Sequence, residues 1–260
     1  MIYQHLLENG NMELLPHVSI LPWDQSEYPV RQLVQQCSDQ VEFHSLCTCR
    51  GKQSLYEMIK AFEIFLPLVR GNLPLLEDLA VDFCKRQAQQ HVVYTEMRYS
   101  PHLLATGGSL EYKENATAMV NADVVVDAIT RGLRRGQELY HVTVNQILCC
   151  ITWRPDWAND VVRLAQERQK DTPCAVVGVD IAAGEAHFDK ANNPHLYHAH
   201  FQAMKKAKSL GIPITLHAGE VSVGDLCVKT AIDDFGACRI GHGYRMSHTM
   251  MQHCKERKIH

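Results

Sequence analysis

Two short segments decide the interpretation of this fold: Thr215-Leu-His-Ala-Gly-Glu220 and Arg239-Ile-Gly-His-Gly-Tyr-Arg245. Each begins with residues typical of a buried strand and continues at once into glycine, histidine and charged residues. The α/β barrels assemble their active sites from side chains at the carboxyl ends of successive parallel strands. The two segments therefore predict a barrel-type site around His217 and His242.

From about residue 90, short apolar runs alternate with longer amphipathic stretches. Near-continuous apolar runs are typical of parallel strands that are covered on both faces. The predicted strands are His91–Tyr99, Thr143–Ile151, Ala175–Ala182, Ile212–Leu216 and Cys238–Ile240, and no strand is predicted within residues 10–50. The predicted helices are Ser54–Leu66, Leu75–Cys84, Asp123–Leu133, Asn159–Arg168 and His198–Ala207, with Ser54 and Asp123 as N-caps.

This alternation predicts an α/β fold. Five strand–helix units in series, without the pattern of a second domain, favour a (β/α)₈ TIM-type barrel over an open doubly wound sheet. Each predicted strand also runs into a charged or glycine-rich segment, whereas an open sheet concentrates its site at one switch point. Because only five strands are recognisable, the prediction is a partial barrel.

The composition indicates an ordinary globular protein, with 46% hydrophobic and 21% charged residues. A net charge of −3 gives no reason to expect a nucleic-acid or membrane partner, and no apolar run approaches the length of a transmembrane helix. The ten cysteines lack the spacing of a zinc knuckle, and the first residues show no signal-peptide pattern. We therefore expect reduced thiols in a cytoplasmic protein; the sequence does not indicate its oligomeric state.

Three side chains at the predicted strand ends are candidates for chemistry. His217 is a candidate zinc ligand, because neutral imidazole is a common one; the alternative is a structural histidine. Glu220 fits a general acid or base beside a metal-bound water, or else is a solvated loop carboxylate. His242, between two glycines, either orients or polarises a hydroxide or packs against Tyr244.

Three further charged residues lie on predicted strands. Glu96 and Arg98 alternate on one strand and share a face, for which a buried ion-pair network is the preferred interpretation. Asp180 ends a strand, and it either hydrogen-bonds a ligand or holds a neighbouring loop.

Taken together, the motifs resemble those of the adenosine deaminase family of metal-dependent hydrolases, which are (β/α)₈ barrels. The matching segments, in the family's order and approximate spacing, are Val93–His102, Gln146–Cys150, Asp180–Glu185, Thr215–Glu220 and Gly241–Tyr244. The likeness covers roughly residues 50–260. It implies one domain over residues 1–260, divergent in 1–50 and family-like in 51–260, with barrel strands 2 to 6 present.

The resemblance also implies roles for individual residues. His217 would bind Zn²⁺, Glu220 would protonate N1 of the purine ring, and His242 would position the zinc-bound water for attack on C6. Ala183 and Gly184 would lie at the purine, with Ala183 where the family has a glycine. The side chains Met58, Ile59 and Phe62 would either cover the substrate from a lid helix or form that helix's core face.

Two departures from the family pattern concern the metal ligands. The family's first strand carries a His-x-His pair, and its last strand carries an aspartate ligand; the only His-x-His here, His198-Ala-His200, lies in a predicted helix. We therefore expect barrel strands 1, 7 and 8 to be missing. The parent protein would be a zinc-dependent deaminase of adenosine and deoxyadenosine, and this chain an inactive fragment. The alternatives are a non-catalytic binding protein, or a deaminase of adenine or a related nucleoside.

Overall fold

A computed structural model describes residues 2–8, 11–50, 54–106, 119–221 and 225–260. The helices are α1 (Ile2–Leu7), α2 (Val30–Gln35), α3 (Gln40–Leu46), α4 (Leu55–Val69), α5 (Leu73–Gln89), α6 (Pro101–Leu104), α7 (Ala122–Tyr140), α8 (Ala158–Arg168), α9 (Pro194–Ser209), α10 (Leu226–Asp233) and α11 (His248–Glu256). The strands are β1 (Ser19–Ile20), β2 (Glu27–Tyr28), β3 (Tyr94–Tyr99), β4 (Thr143–Ile151), β5 (Val176–Ala182), β6 (Thr215–Ala218) and β7 (Arg239–His242). None of the described helices is both long and apolar enough to cross a membrane.

The chain divides into two compact units. The helical unit comprises Met1–Leu76 and His102–Ala128, and the parallel-strand unit comprises Glu77–Pro101 and Ile129–His260. The predicted single domain over residues 1–260 stays a prediction.

The helical unit is built around an apolar cluster. Ser54 caps α4 as predicted, because its hydroxyl accepts a hydrogen bond from the Glu57 amide at 3.3 Å. The buried members of the cluster are Leu6, Leu15, Val30, Val34, Phe43, Ile64 and Leu68. One sequence prediction needs correction: β1 and β2 form a short antiparallel pair within residues 10–50, where no strand was expected.

The parallel-strand unit contains the five predicted strands in chain order. Strands β3, β4 and β5 form a parallel sheet, and β6 and β7 form a parallel pair. A parallel bridge between Val179 and Ile214 makes β5 and β6 neighbours. On the other edge of β7, the Ile240 amide donates to the His260 carbonyl at 2.7 Å. The predicted α/β architecture with parallel strands is thus confirmed.

Helices cover these strands in the order that the sequence indicates. The helix α8 packs against β4, β5 and α9, and α10 packs against β6. Buried apolar side chains of α8, such as Val161, Val162 and Leu164, supply this packing. Near the carboxyl ends of β5, β6 and β7 lie the polar residues Asp180, His217 and His242.

Several predicted boundaries shift for local reasons. Strand β3 begins at Tyr94 rather than His91, because His91 adopts φ +58° and its amide bonds the Ala88 carbonyl at the end of α5. The predicted N-cap Asp123 lies inside α7. Asn121 is the capping residue, since its side-chain oxygen accepts from the Val124 amide at 3.0 Å.

Candidate active site

The predicted site residues of the parallel-strand unit lie at adjacent strand ends. Asp180 is near the end of β5, His217 is on β6, and His242 ends β7. The register pairs Ala218 with His242, so the carboxyl ends of β6 and β7 lie side by side. Glu220 follows β6 by two residues.

The imidazole of His217 is held by Asp180. Nδ1 of His217 lies 2.7 Å from Oδ2 of Asp180, and the His217 backbone amide donates to Oδ1 at 3.0 Å. Because a carboxylate can only accept, Nδ1 carries a proton, and in the neutral imidazole Nε2 is then the nitrogen with the lone pair. Metal-binding histidines are oriented by such a carboxylate, so His217 is prepared to act as a ligand through Nε2.

A cation balances the buried carboxylate. The Asp180 side chain is wholly inaccessible to solvent, and Nη1 of Arg98 lies 2.9 Å from its Oδ2. The same Nη1 lies only 3.2 Å from where a Cβ on Gly241 would be, so a side chain at that position would disturb the ion pair. Arg98 therefore forms an ion pair, as predicted. Asp180 hydrogen-bonds His217 on the neighbouring strand β6.

Glu96, the other residue of the predicted ion-pair network, pairs with a different arginine, Arg239. Glu96 accepts hydrogen bonds from Arg239 Nη2 at 2.5 Å and from the Tyr94 hydroxyl at 2.8 Å. Burial raises the pKa of Glu96, but these two donors outweigh it and the pKa lies below its ordinary value. Glu96 is therefore ionised, and its ion pair with Arg239 links β3 to β7.

Glu220 and His242 approach each other across two glycine-containing turns. Oε2 of Glu220 and Nε2 of His242 are 3.6 Å apart, and the rings of His217 and His242 are 5.1 Å apart between centroids. His242 has φ +79° and Gly219 has φ +69°, values that turn the chain sharply at both strand ends. A carboxyl group and two imidazoles thus face one small region.

The backbone ties these two turns together. The Gly243 amide donates to the Ala218 carbonyl at 3.0 Å, and the Arg245 amide donates to the Gly219 carbonyl at 2.7 Å. The separation between Glu220 and His242 is therefore set by main-chain hydrogen bonds as well as by the strand register.

Ala183 and Gly184 form the turn after β5. Ala183 has φ +91°, a conformation that L-residues other than glycine rarely adopt. A Cβ on Gly184 would lie 3.2 Å from the Trp153 ring. The turn therefore retains a backbone shape suited to glycine, although alanine occupies its first position.

A cluster of three buried polar residues next to this turn, Thr152, His187 and His200, was not predicted from the sequence. The Thr152 hydroxyl donates to the Gly184 carbonyl at 2.5 Å and lies 3.0 Å from Nδ1 of His187. The Thr152 carbonyl accepts from Nε2 of His200 at 2.9 Å. Burial lowers the pKa of both histidines, that of His187 well below its ordinary value, so both rings are neutral.

The carboxylate of Glu185 was also missed. Its Oε1 accepts a hydrogen bond from the Glu220 backbone amide at 2.8 Å, and its Oε2 lies 3.6 Å from the Cys227 thiol. The signal available in sequence was its place in the Asp180–Glu185 segment. That segment does not reveal which loop Glu185 contacts.

The side chains of the described residues do not form a complete zinc site. Across the described residues, no group of three or more histidine, cysteine, aspartate or glutamate side chains is placed to hold a metal ion. A structural or catalytic zinc site needs at least three such ligands, and the described residues do not assemble them.

The remaining predicted substrate residues belong to the helical unit. On α4, Ile59 is buried, whereas Met58 and Phe62 are exposed to 40% and 39%. Ile59 thus lies on the helix's core face, and the predicted lid role of Met58 and Phe62 stays a prediction.

The geometry first defines a class: an α/β protein with an acid and two imidazoles at the ends of parallel strands, as in barrel enzymes. The sequence profile of the adenosine deaminase family matches residues 30–260. Adenosine deaminase of Xenopus laevis is 34% identical over 193 residues, which are 74% of this chain and 51% of that relative. The chain belongs to the adenosine deaminase family, and it spans about half the length of the curated relatives it matches.

Solved structures show the same fold. Arabidopsis ADAL complexed with GMP superposes with a TM-score of 0.63 at 21% identity, covering 97% of this chain and 65% of that chain. An amidohydrolase from Burkholderia ambifaria with bound Zn gives a TM-score of 0.61 at 20% identity, covering 83% of this chain and 53% of that chain. These likenesses concern the fold alone.

Proposed function

We propose that the protein to which this chain belongs catalyses the hydrolytic deamination of adenosine and deoxyadenosine, yielding inosine from adenosine. The observation that carries the proposal is the His217 imidazole, oriented by Asp180 beside Glu220 and His242 in a member of this family. We further propose that β3 to β7 correspond to strands 2 to 6 of a (β/α)₈ barrel.

In this proposal the residues of the chain have separate tasks. Glu220 donates a proton to N1 of the purine ring, which makes C6 more electrophilic. His242 holds the attacking water by a hydrogen bond, and Ala183 and Gly184 contact the purine through their backbone. Addition of water at C6 and departure of the amino group as ammonia then convert adenosine and water into inosine and ammonia.

We also propose that the reaction depends on zinc and that His217 is one of its ligands. The described residues provide no set of three ligands. The 260 residues by themselves are therefore expected to bind no stoichiometric zinc and to be inactive. This observation also favours a second candidate, a non-catalytic family member that binds a nucleoside.

The test compares this chain with an extended protein, defined as this chain together with any flanking sequence that its gene encodes. Both are incubated with adenosine, deoxyadenosine, adenine and AMP, and product and ammonia are quantified. Turnover of the two nucleosides by the extended protein alone supports the proposal. Faster turnover of adenine or AMP reassigns the substrate. Nucleoside binding without turnover by the extended protein establishes the binding-protein alternative.

A further inference from the structure

The loop after β5 reaches across to the proton donor assigned above. The Glu185 carboxylate accepts the backbone N–H of Glu220 at 2.8 Å through Oε1. Its other oxygen, Oε2, lies 3.6 Å from the Cys227 thiol in the first turn of α10. The Glu185 side chain thus connects the turn after β5 with Glu220, just after β6, and with Cys227 at the start of α10.

The position of Glu220 depends on such a connection. The preceding residue, Gly219, has φ +69°, and glycine gives the chain more freedom at this point than any other residue would. Oε2 of the Glu220 carboxyl group lies 3.6 Å from Nε2 of His242, which is beyond hydrogen-bond distance. The Glu185 hydrogen bond holds the backbone position from which the Glu220 side chain extends.

Glu185 is itself firmly held. The residue before it, Gly184, offers its carbonyl to the wholly buried Thr152 hydroxyl at 2.5 Å. Two residues after it, the fully buried His187 lies 3.0 Å from the same hydroxyl, and His200 of α9 donates to the Thr152 carbonyl at 2.9 Å. Hydrogen bonds from the residue that follows β4 and from α9 thus hold the loop that carries the Glu185 carboxylate.

We propose that Glu185 is a positioning residue: its carboxylate clamps the Glu220 amide and so directs the Glu220 carboxyl group towards the substrate. The Thr152–His187–His200 cluster fixes the loop from which Glu185 acts. The proposal rests on the acid role given to Glu220 in the proposed function. The required property is a hydrogen-bond acceptor of glutamate length, and the negative charge is not needed.

The first test needs no enzymatic activity. Hydrogen exchange of the Glu220 amide is measured in this 260-residue chain for Glu185→Ala, Glu185→Asp and Glu185→Gln. Loss of one acceptor should speed exchange on the order of tenfold in Glu185→Ala and in the too-short Glu185→Asp. Glu185→Gln keeps an acceptor oxygen at the same reach and should exchange like the parent. Glu256→Ala, which removes an exposed carboxylate bonded to Gln252, is the matched control.

Unchanged exchange in both Glu185→Ala and Glu185→Asp would overturn the clamp. Fast exchange in Glu185→Gln would overturn the statement that an acceptor suffices. If Glu185→Ala lowers the unfolding midpoint, Glu185→Asp and Glu185→Gln still decide the matter, because they differ in reach and in charge.

The second test uses the extended protein. Because Glu220 acts on the bound purine, Glu185→Ala should lower kcat on the order of tenfold with little change in KM, and Glu185→Gln should restore kcat. Parent-like kcat in Glu185→Ala would contradict the positioning role. If the extended parent deaminates no purine, the proposed function fails, and the exchange experiment still reports on the clamp.

Discussion

The two units of the chain differ in what they bury. The cluster at the centre of the helical unit is wholly apolar. Among the described residues, every buried polar or charged side chain belongs to the parallel-strand unit, namely Ser100, Thr130, Gln146, Thr152, Asp180, His187, His200 and Thr215. Buried polar groups are costly unless they are hydrogen-bonded, so their concentration marks the unit in which defined geometry matters most.

The largest expected effect is on catalysis. In the extended protein, Glu220→Gln removes the proposed proton donor while keeping its size. We expect kcat to fall by about 10²- to 10⁴-fold, the range typical of a general acid, with a small change in KM. The measurement is the steady-state rate of inosine formation. Turnover at the parent rate would exclude the acid role of Glu220. The parallel-strand unit would then lack the catalytic acid that we assign to it.

A second substitution tests the buried charge. Arg98→Met removes the cation beside Asp180, whose carboxylate is inaccessible to solvent. Leaving a buried charge without its partner should lower the free energy of unfolding by about 3 kcal/mol, measured by urea denaturation.

The matched control for Arg98→Met lies in the helical unit. Leu15→Ala creates a cavity in the apolar cluster and should also cost about 3 kcal/mol. Only Arg98→Met should also lower kcat in the extended protein, because only it disturbs the Asp180–His217 pair. Equal kcat values for the two variants would contradict this difference.

Stability should depend on pH through the buried histidines. Burial lowers the pKa of His187 and His200 in the folded state, so below about pH 6.5 the unfolded chain binds protons that the folded chain does not. The free energy of unfolding should therefore fall with decreasing pH, by up to about 1.4 kcal/mol per pH unit for each ring.

The variant His200→Gln identifies the source of this pH dependence. Glutamine keeps a donor for the Thr152 carbonyl but does not titrate, so the slope should become shallower. His141→Gln, at an exposed position, is the control. A slope that His200→Gln leaves unaltered would assign the effect to other groups.

The smallest effect concerns the turn after β5. Ala183→Gly should raise the free energy of unfolding by up to about 1 kcal/mol, because φ +91° strains alanine and not glycine. Ala182→Gly, one residue earlier and at the end of β5, should instead destabilise the chain. Thermal unfolding of both variants gives the comparison. Destabilisation by Ala183→Gly would mean that the turn holds no such strain.

The sequence predicted what depends on local pattern. The bounds of β4 agree with the apolar run Thr143–Ile151, and the alternation of strands and helices yielded the parallel architecture. The start of β3 was wrong because the left-handed His91 ends α5 first, which no periodicity reveals.

The contacts around Glu185 could not be predicted, because they join residues 35 positions apart across two loops. A partial signal existed for His200, which shares the buried face of α9 with Leu196, Ala203 and Met204 at helical spacing. The partner of that histidine, the Thr152 carbonyl, is 48 positions away. Tertiary structure alone brings the two together.

The central proposal is that His217 is an oriented zinc ligand and Glu220 a proton donor, whereas the described residues lack a complete set of metal ligands. The most direct measurement is the zinc content of the purified 260-residue chain and of the extended protein after dialysis against metal-free buffer. We predict zinc well below one equivalent in the chain and one equivalent in the extended protein. One equivalent in the chain, lost on His217→Ala, would contradict the claim.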